Sequence, residues 1–238
     1  VSYNNQETLQ DLANRLAQQT EPEANDYMQA FTDPYFLEEF GFDADNVLSA
    51  FIPNTYEFYW NVSPIKVRDK LVREYKKFWN ESRLAKADSL GLTPLQVSAL
   101  ASIVQKESAK VDERPTVAGV YLNRLKINMP LQADPTVIYA IKKESNNFEQ
   151  VIKRVMHDDL KINSPYNTYL NLGLPPGPIA MPDISSIDAV LNAEKHDYLY
   201  FCASVDNFGY HDFATNYNDH LVNAKKYTQW VATQNYER

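Results

Sequence analysis

Glu107 is the acidic residue whose neighbours could change its chemistry. It follows Leu100, Ile103 and Val104 at spacings of seven, four and three residues, so on a helix it shares their apolar side. A carboxyl held against apolar surface resists ionisation, keeps its proton near neutral pH and becomes a competent general acid. A glutamate at a helix end more often turns to solvent or pairs with Lys106 or Lys110, and the helix alone favours that reading. Splitting a glycosidic bond with water takes a second carboxyl across from the first. Asp112 and Asp134 both precede helical patterns as caps would, and Glu113 falls in a first helical turn. One catalytic carboxylate without a partner points instead to a reaction in which the substrate supplies its own nucleophile.

Other chemistries find little support. His157, His196, His211 and His220 stand in separate elements, never at the spacing of a helical metal pair, and the lone Cys202 has no partner. Cys202 lies in an apolar run and reads as a buried structural thiol. Neither a glycine-rich phosphate loop nor a G-x-S-x-G elbow is present. A net charge of −8 disfavours nucleic acid or an anionic lipid surface as partner. Sixteen Tyr, eleven Phe and three Trp supply flat faces that suit sugar rings, although most such rings belong in a core.

The elements that must position Glu107 come from periodicity and punctuation. A short strand precedes a helix over 7–19, with Leu9, Leu12 and Leu16 on one side, and a second helical stretch covers 26–40. Residues 51–60, interrupted by Pro53, suit a loop and short strand, and 65–87 reads as one amphipathic helix. Thr93-Pro94 with Gln96 forms a capping box opening a helix that carries Glu107 and runs to about 110. Asp112 and Pro115 start another helix ending before Pro130, and Asp134-Pro135 a third. Residues 163–182 hold too many prolines for a regular element. Strands follow at 198–203 and 210–214, joined by a turn at 206–209, with a closing helix over 218–231. Helices and strands without βα alternation make the class α+β: a compact helical subdomain, short antiparallel strands and a proline-rich loop. No run reaches eighteen apolar residues, and no leader opens the chain. Val1 in place of methionine suggests a piece of a longer protein whose anchor or targeting segment would precede it.

Several separated blocks occur in the order characteristic of one family. They are Leu100-Ala-Ser-Ile-Val-Gln-Lys-Glu-Ser108, Glu113-Arg-Pro115, Val120-Tyr-Leu-Asn-Arg-Leu125 and Leu131-Gln-Ala-Asp-Pro-Thr-Val-Ile-Tyr139. Ser164-Pro-Tyr-Asn-Thr-Tyr169, Gly173-Leu-Pro-Pro-Gly-Pro-Ile-Ala180 and Tyr198-Leu-Tyr-Phe201 follow. The chain resembles the YceG/MltG-like endolytic murein transglycosylases, densely over 48–214 and weakly before. The resemblance implies a catalytic domain over 46–238 and, in 1–45, the remnant of a LysM-like subdomain.

It further implies that Glu107 is the acid/base for cutting the β-1,4 bond between N-acetylmuramic acid and N-acetylglucosamine in nascent peptidoglycan. The muramic acid 6-hydroxyl would attack, leaving a 1,6-anhydro end without any cofactor or metal. Partners implied are glycan strands and wall-elongating synthases; the location implied is extracytoplasmic, behind a single-pass N-terminal anchor. Gln132, Tyr166, Asn167 and Thr168 lie in family-matching blocks, where they could bond the sugar; Asn167 and Thr168 could equally cap turns. Asn123 and Arg124 could orient Glu107 or serve packing, and Glu113 would support the site from behind. A glycan-binding module that cuts nothing, and a muramidase using Glu113 or Asp134 as base, are the competing expectations.

Overall fold

The computed structural model describes residues 1–233; residues 234–238 of the expected catalytic domain lie outside them. Two apolar clusters organise the chain. The first collects Tyr3, Leu12, Leu16, Tyr27, Phe31, Phe36, Phe51, Val67 and Leu71, and takes in Met181 from far along the sequence. The supporting elements are β1 (Ser2–Tyr3), α1 (Leu9–Ala17), α2 (Ala24–Phe31), α3 (Pro34–Phe40), β2 (Asn54–Thr55) and α4 (Pro64–Phe78). β1 and β2 pair antiparallel, Ser2 opposite Thr55. This packing runs on past residue 45.

Two helices expected to be continuous are broken. The stretch 26–40 divides at Asp33-Pro34, where the Asp33 carboxylate accepts the Phe36 N–H and starts α3. The amphipathic run 65–87 divides at Asn80, whose side chain accepts the Arg83 N–H and opens α5 (Glu81–Ser89).

The second cluster is built around α6 (Pro94–Glu107), whose residues from Val97 to Val104 are all buried. A helix apolar all round belongs at the centre of a core. Against it pack α7 (Arg114–Lys126), α8 (Asp134–Glu144) and α9 (Ile184–Leu191), with Val117, Tyr121, Ile187 and Val190 in one cluster. The capping box at Thr93 and Gln96 forms as the sequence indicates. α6 stops at Glu107 rather than near 110, because Ser108 turns extended at φ −128 and ψ 124.

Residues 162–183 hold neither helix nor strand and lie along α6. The Ile179 N–H bonds the Ser102 hydroxyl at 3.0 Å, and the Asp183 N–H bonds the Gln105 side-chain carbonyl at 2.6 Å. The hairpin β3 (Tyr200–Ala203) and β4 (His211–Ala214) and the helix α10 (Tyr217–Thr233) complete an α+β molecule. Cys202 is half-buried on β3 rather than enclosed, and burial pushes its thiol pKa up. Among the described residues no helix is long and apolar enough to cross a membrane.

Candidate active site

Glu107 occupies the last position of α6, partly open to the surface. Burial against the core pushes its pKa up to about 7. A hydrogen bond from the Tyr121 hydroxyl, 2.8 Å from Oε1, works against that rise. The negative charge of Asp134 adds to it, and the positive charge of Arg124 opposes it. The C-terminal end of a helix, where the dipole is negative, also disfavours a carboxylate. Glu107 is therefore protonated in a large fraction of molecules at neutral pH and can give up that proton without a large penalty.

Tyr121 is fully buried on α7, its own pKa raised by burial and by Glu107. Arg124, one turn further on, is buried and spends its guanidinium on carbonyls. Nε donates to Leu199 O at 2.7 Å, and Nη1 donates to Leu131 O at 2.7 Å and Pro130 O at 3.3 Å. It thereby ties the entry of β3 to the segment leading into α8, and its head also lies over the Tyr200 ring.

Glu113 is buried five residues past the Ser108 turn and does not touch Glu107. Its Oε1 accepts the His211 N–H at 2.7 Å, and Oε2 accepts from His211 Nδ1 at 2.8 Å and from the Ser108 hydroxyl at 2.9 Å. The carboxylate fastens β4 to Ser108, the residue that follows Glu107. Asp112, expected at a helix cap, accepts the Tyr210 hydroxyl instead, and α7 starts at Arg114. Asp134 is the first residue of α8, and its Oδ1 accepts the Tyr169 hydroxyl at 2.6 Å.

The remaining sequence candidates divide sharply. Asn167 is fully buried; Nδ2 donates to Leu160 O and Ile162 O, both at 2.9 Å, and Oδ1 accepts the Tyr169 N–H. Thr168 is buried too, its hydroxyl against that of Thr136 and accepting the Ala133 N–H. Both organise the loop, the turn-forming alternative. Tyr166 is buried against Tyr139, and its hydroxyl reaches Asp45. Asn123 donates to His196 O and Tyr198 O and aligns the approach to β3. Gln132 is exposed, and its backbone is left-handed at φ 50, held there by its N–H on Thr168 O. Such a conformation in a non-glycine residue costs on the order of 1 kcal/mol and persists where the surroundings enforce it.

Tyr121 and Tyr169 are the contributors that sequence reasoning passed over. Tyr121 sat in plain view on the apolar side of a helix, carrying a hydroxyl that burial obliges to find a partner. Two cavities open elsewhere: about 430 Å³ beside Glu7, Phe148 and Val151, and about 450 Å³ beside Asn123, Lys126 and Glu194. Among the described residues no group of His, Cys, Asp and Glu is placed to hold a metal ion.

A part-open carboxyl whose pKa burial lifts to about 7 thus stands at the end of a buried helix on an α+β frame. The YceG-like family model matches residues 1–226, and the chain belongs to the YceG-like family. It is similar to the endolytic murein transglycosylase of Bacillus subtilis, 49% identical over 104 residues, which are 44% of this chain and 27% of that protein. The endolytic murein transglycosylase of Streptococcus pneumoniae strain D39 is 39% identical over 139 residues, 58% of this chain and 25% of that protein. The matched parts thus span about a quarter of each relative. A crystal structure of a yceG-like protein from Listeria monocytogenes superposes with a TM-score of 0.74 at 29% identity, covering 93% of this chain and 76% of that one.

Proposed function

We propose that the chain is the catalytic part of an endolytic murein transglycosylase with Glu107 as its acid and base. The observation carrying this reading is the Glu107 carboxyl, lifted to about 7 at the open end of α6, while Glu113 is engaged by His211 and Ser108. The names of the bacterial relatives support the substrate class. Protonated Glu107 gives its proton to the glycosidic oxygen, and the N-acetylglucosamine O4 departs as a hydroxyl. The carboxylate then takes the proton of the muramic acid 6-hydroxyl as its oxygen bonds to the anomeric carbon. Glu107 is again protonated, no water is consumed, and a 1,6-anhydro end remains.

Cutting of wall strands places this domain outside the cytoplasmic membrane, and an anchor, wall-elongating synthases as partners and a LysM-like origin for 1–45 complete the proposal. Mass spectrometry of uncrosslinked glycan strands incubated with the protein tests it. Internal fragments with anhydro ends, lighter by one water than reducing ends, are expected. Water-added ends would make it a muramidase, and intact strands a binding module.

A further inference from the structure

The backbone leading into α8 is held with unusual care for a surface segment. Arg124 fixes the carbonyls of Pro130 and Leu131 from one side. Thr168 fixes the next two residues from the other, its carbonyl on the Gln132 N–H and its hydroxyl on the Ala133 N–H. Between these restraints Gln132 takes the left-handed conformation, and the segment delivers an exposed carboxylate, Asp134.

A first-turn aspartate ordinarily serves its own helix. Here the N-cap position, Ala133, makes no side-chain cap, and Asp134 Oδ1 instead takes the hydroxyl of Tyr169 from the loop at 2.6 Å. The start of α8 faces the end of α6: Lys106 and Pro135, the neighbours of Glu107 and Asp134, line one cavity of about 190 Å³. The charge of Asp134 acts on Glu107, and that of Glu107 acts on Tyr169. Glu107 is thus bonded by Tyr121 and feels the charges of Arg124 from α7 and Asp134 from α8, while its own charge reaches Tyr169 in the loop.

We propose that Asp134, oriented by Tyr169, is a second catalytic carboxylate that faces the sugar at the scissile bond and stabilises the positive charge developing on its anomeric carbon. It makes no bond and moves no proton. Two carboxyl groups in different surroundings take different roles: Glu107, partly buried against the core, carries the proton, and Asp134, exposed and hydrogen-bonded, supplies the charge. The inference rests on the transglycosylase reading and adds to it a residue outside the Glu107 block.

The test compares wild type, Asp134→Asn, Asp134→Glu and Tyr169→Phe on uncrosslinked glycan strands, with melting temperature and the 13C titration of the Glu107 carboxyl followed in parallel. Loss of a preorganised charge at the reacting centre should lower kcat of Asp134→Asn by about 100- to 1,000-fold, with KM little changed and the remaining products still anhydro. Asp134→Glu should recover part of the rate, and Tyr169→Phe should fall between it and wild type. Removing the negative neighbour should lower the Glu107 titration midpoint in Asp134→Asn, a readout that needs no substrate.

Wild-type turnover by Asp134→Asn, an unmoved Glu107 titration, or a rate loss fully matched by unfolding would overturn the proposal while leaving the transglycosylase reading intact. Water-added ends that vanish in Asp134→Asn would make Asp134 a base and overturn it likewise. A wild-type protein that leaves strands uncut removes the transglycosylase reading, and this inference with it.

Discussion

The Tyr121 hydroxyl donates to Glu107 Oε1 at 2.8 Å across the α6–α7 interface, so Glu107 is held by a neighbour that itself resists ionisation. The bond favours the carboxylate form of Glu107. Its removal in Tyr121→Phe should raise the Glu107 pKa further and carry the alkaline limb of kcat/KM upward from about 7. A hydrogen bond to a charged group is worth about 1.5–3 kcal/mol, which corresponds to one to two pH units at about 1.36 kcal/mol per unit. An alkaline limb that stays in place would mean that another group sets it.

Glu107→Gln keeps the shape of the side chain and cannot transfer a proton, so strand cutting should disappear while the fold remains. Stability should change with pH in a defined sense. The folded pKa of about 7 lies above the ordinary 4.5, so the native state holds a proton that the unfolded chain releases. That contribution is complete below 4.5 and is lost as pH rises through about 7, amounting to on the order of 3 kcal/mol. Thermal melts should therefore show Glu107→Gln gaining on wild type between pH 5 and 8; parallel curves would contradict the burial of this carboxyl.

Glu113→Ala strips the acceptor from His211 N–H, His211 Nδ1 and the Ser108 hydroxyl at once. A loss of about 3 kcal/mol in urea unfolding is expected. Turnover should fall even well below the melting temperature, because Ser108 directly follows Glu107. Full activity in the folded variant would show that the hairpin does not help to hold the acid.

Asn167→Ala removes three bonds from a fully enclosed side chain. Stability should drop by about 2–3 kcal/mol. Turnover per folded molecule should fall much less, and the reverse pattern would restore Asn167 to the sugar.

Legibility in the sequence followed the range of the interaction. The start of α6 could be read because Thr93, Pro94 and Gln96 act within one helical turn. The break at Asn80 was hidden because Val67, Leu71, Tyr75, Phe78 and Trp79 continue an apolar pattern up to it. That Glu107 shares the side of Leu100, Ile103 and Val104 was legible, whereas the complete burial of Val97 to Val104 was not, since periodicity reports one side of a helix at a time. The pairs Tyr121–Glu107 and Tyr169–Asp134 join residues 14 and 35 apart, and only packing brings them together. The partners of Asn167 and Thr168 could not be read, because both bond a chain that folds back on itself, which no local spacing announces.

The link between Glu113 and His211 spans 98 residues. At a synthesis rate of about 5–20 residues per second, α6 leaves the ribosome roughly 5–20 s before the strand that secures its end. During that interval the acid is made but not yet mounted. Until the C-terminal hairpin docks, Glu113 lacks its His211 partner and the Ser108 turn is held from one side only.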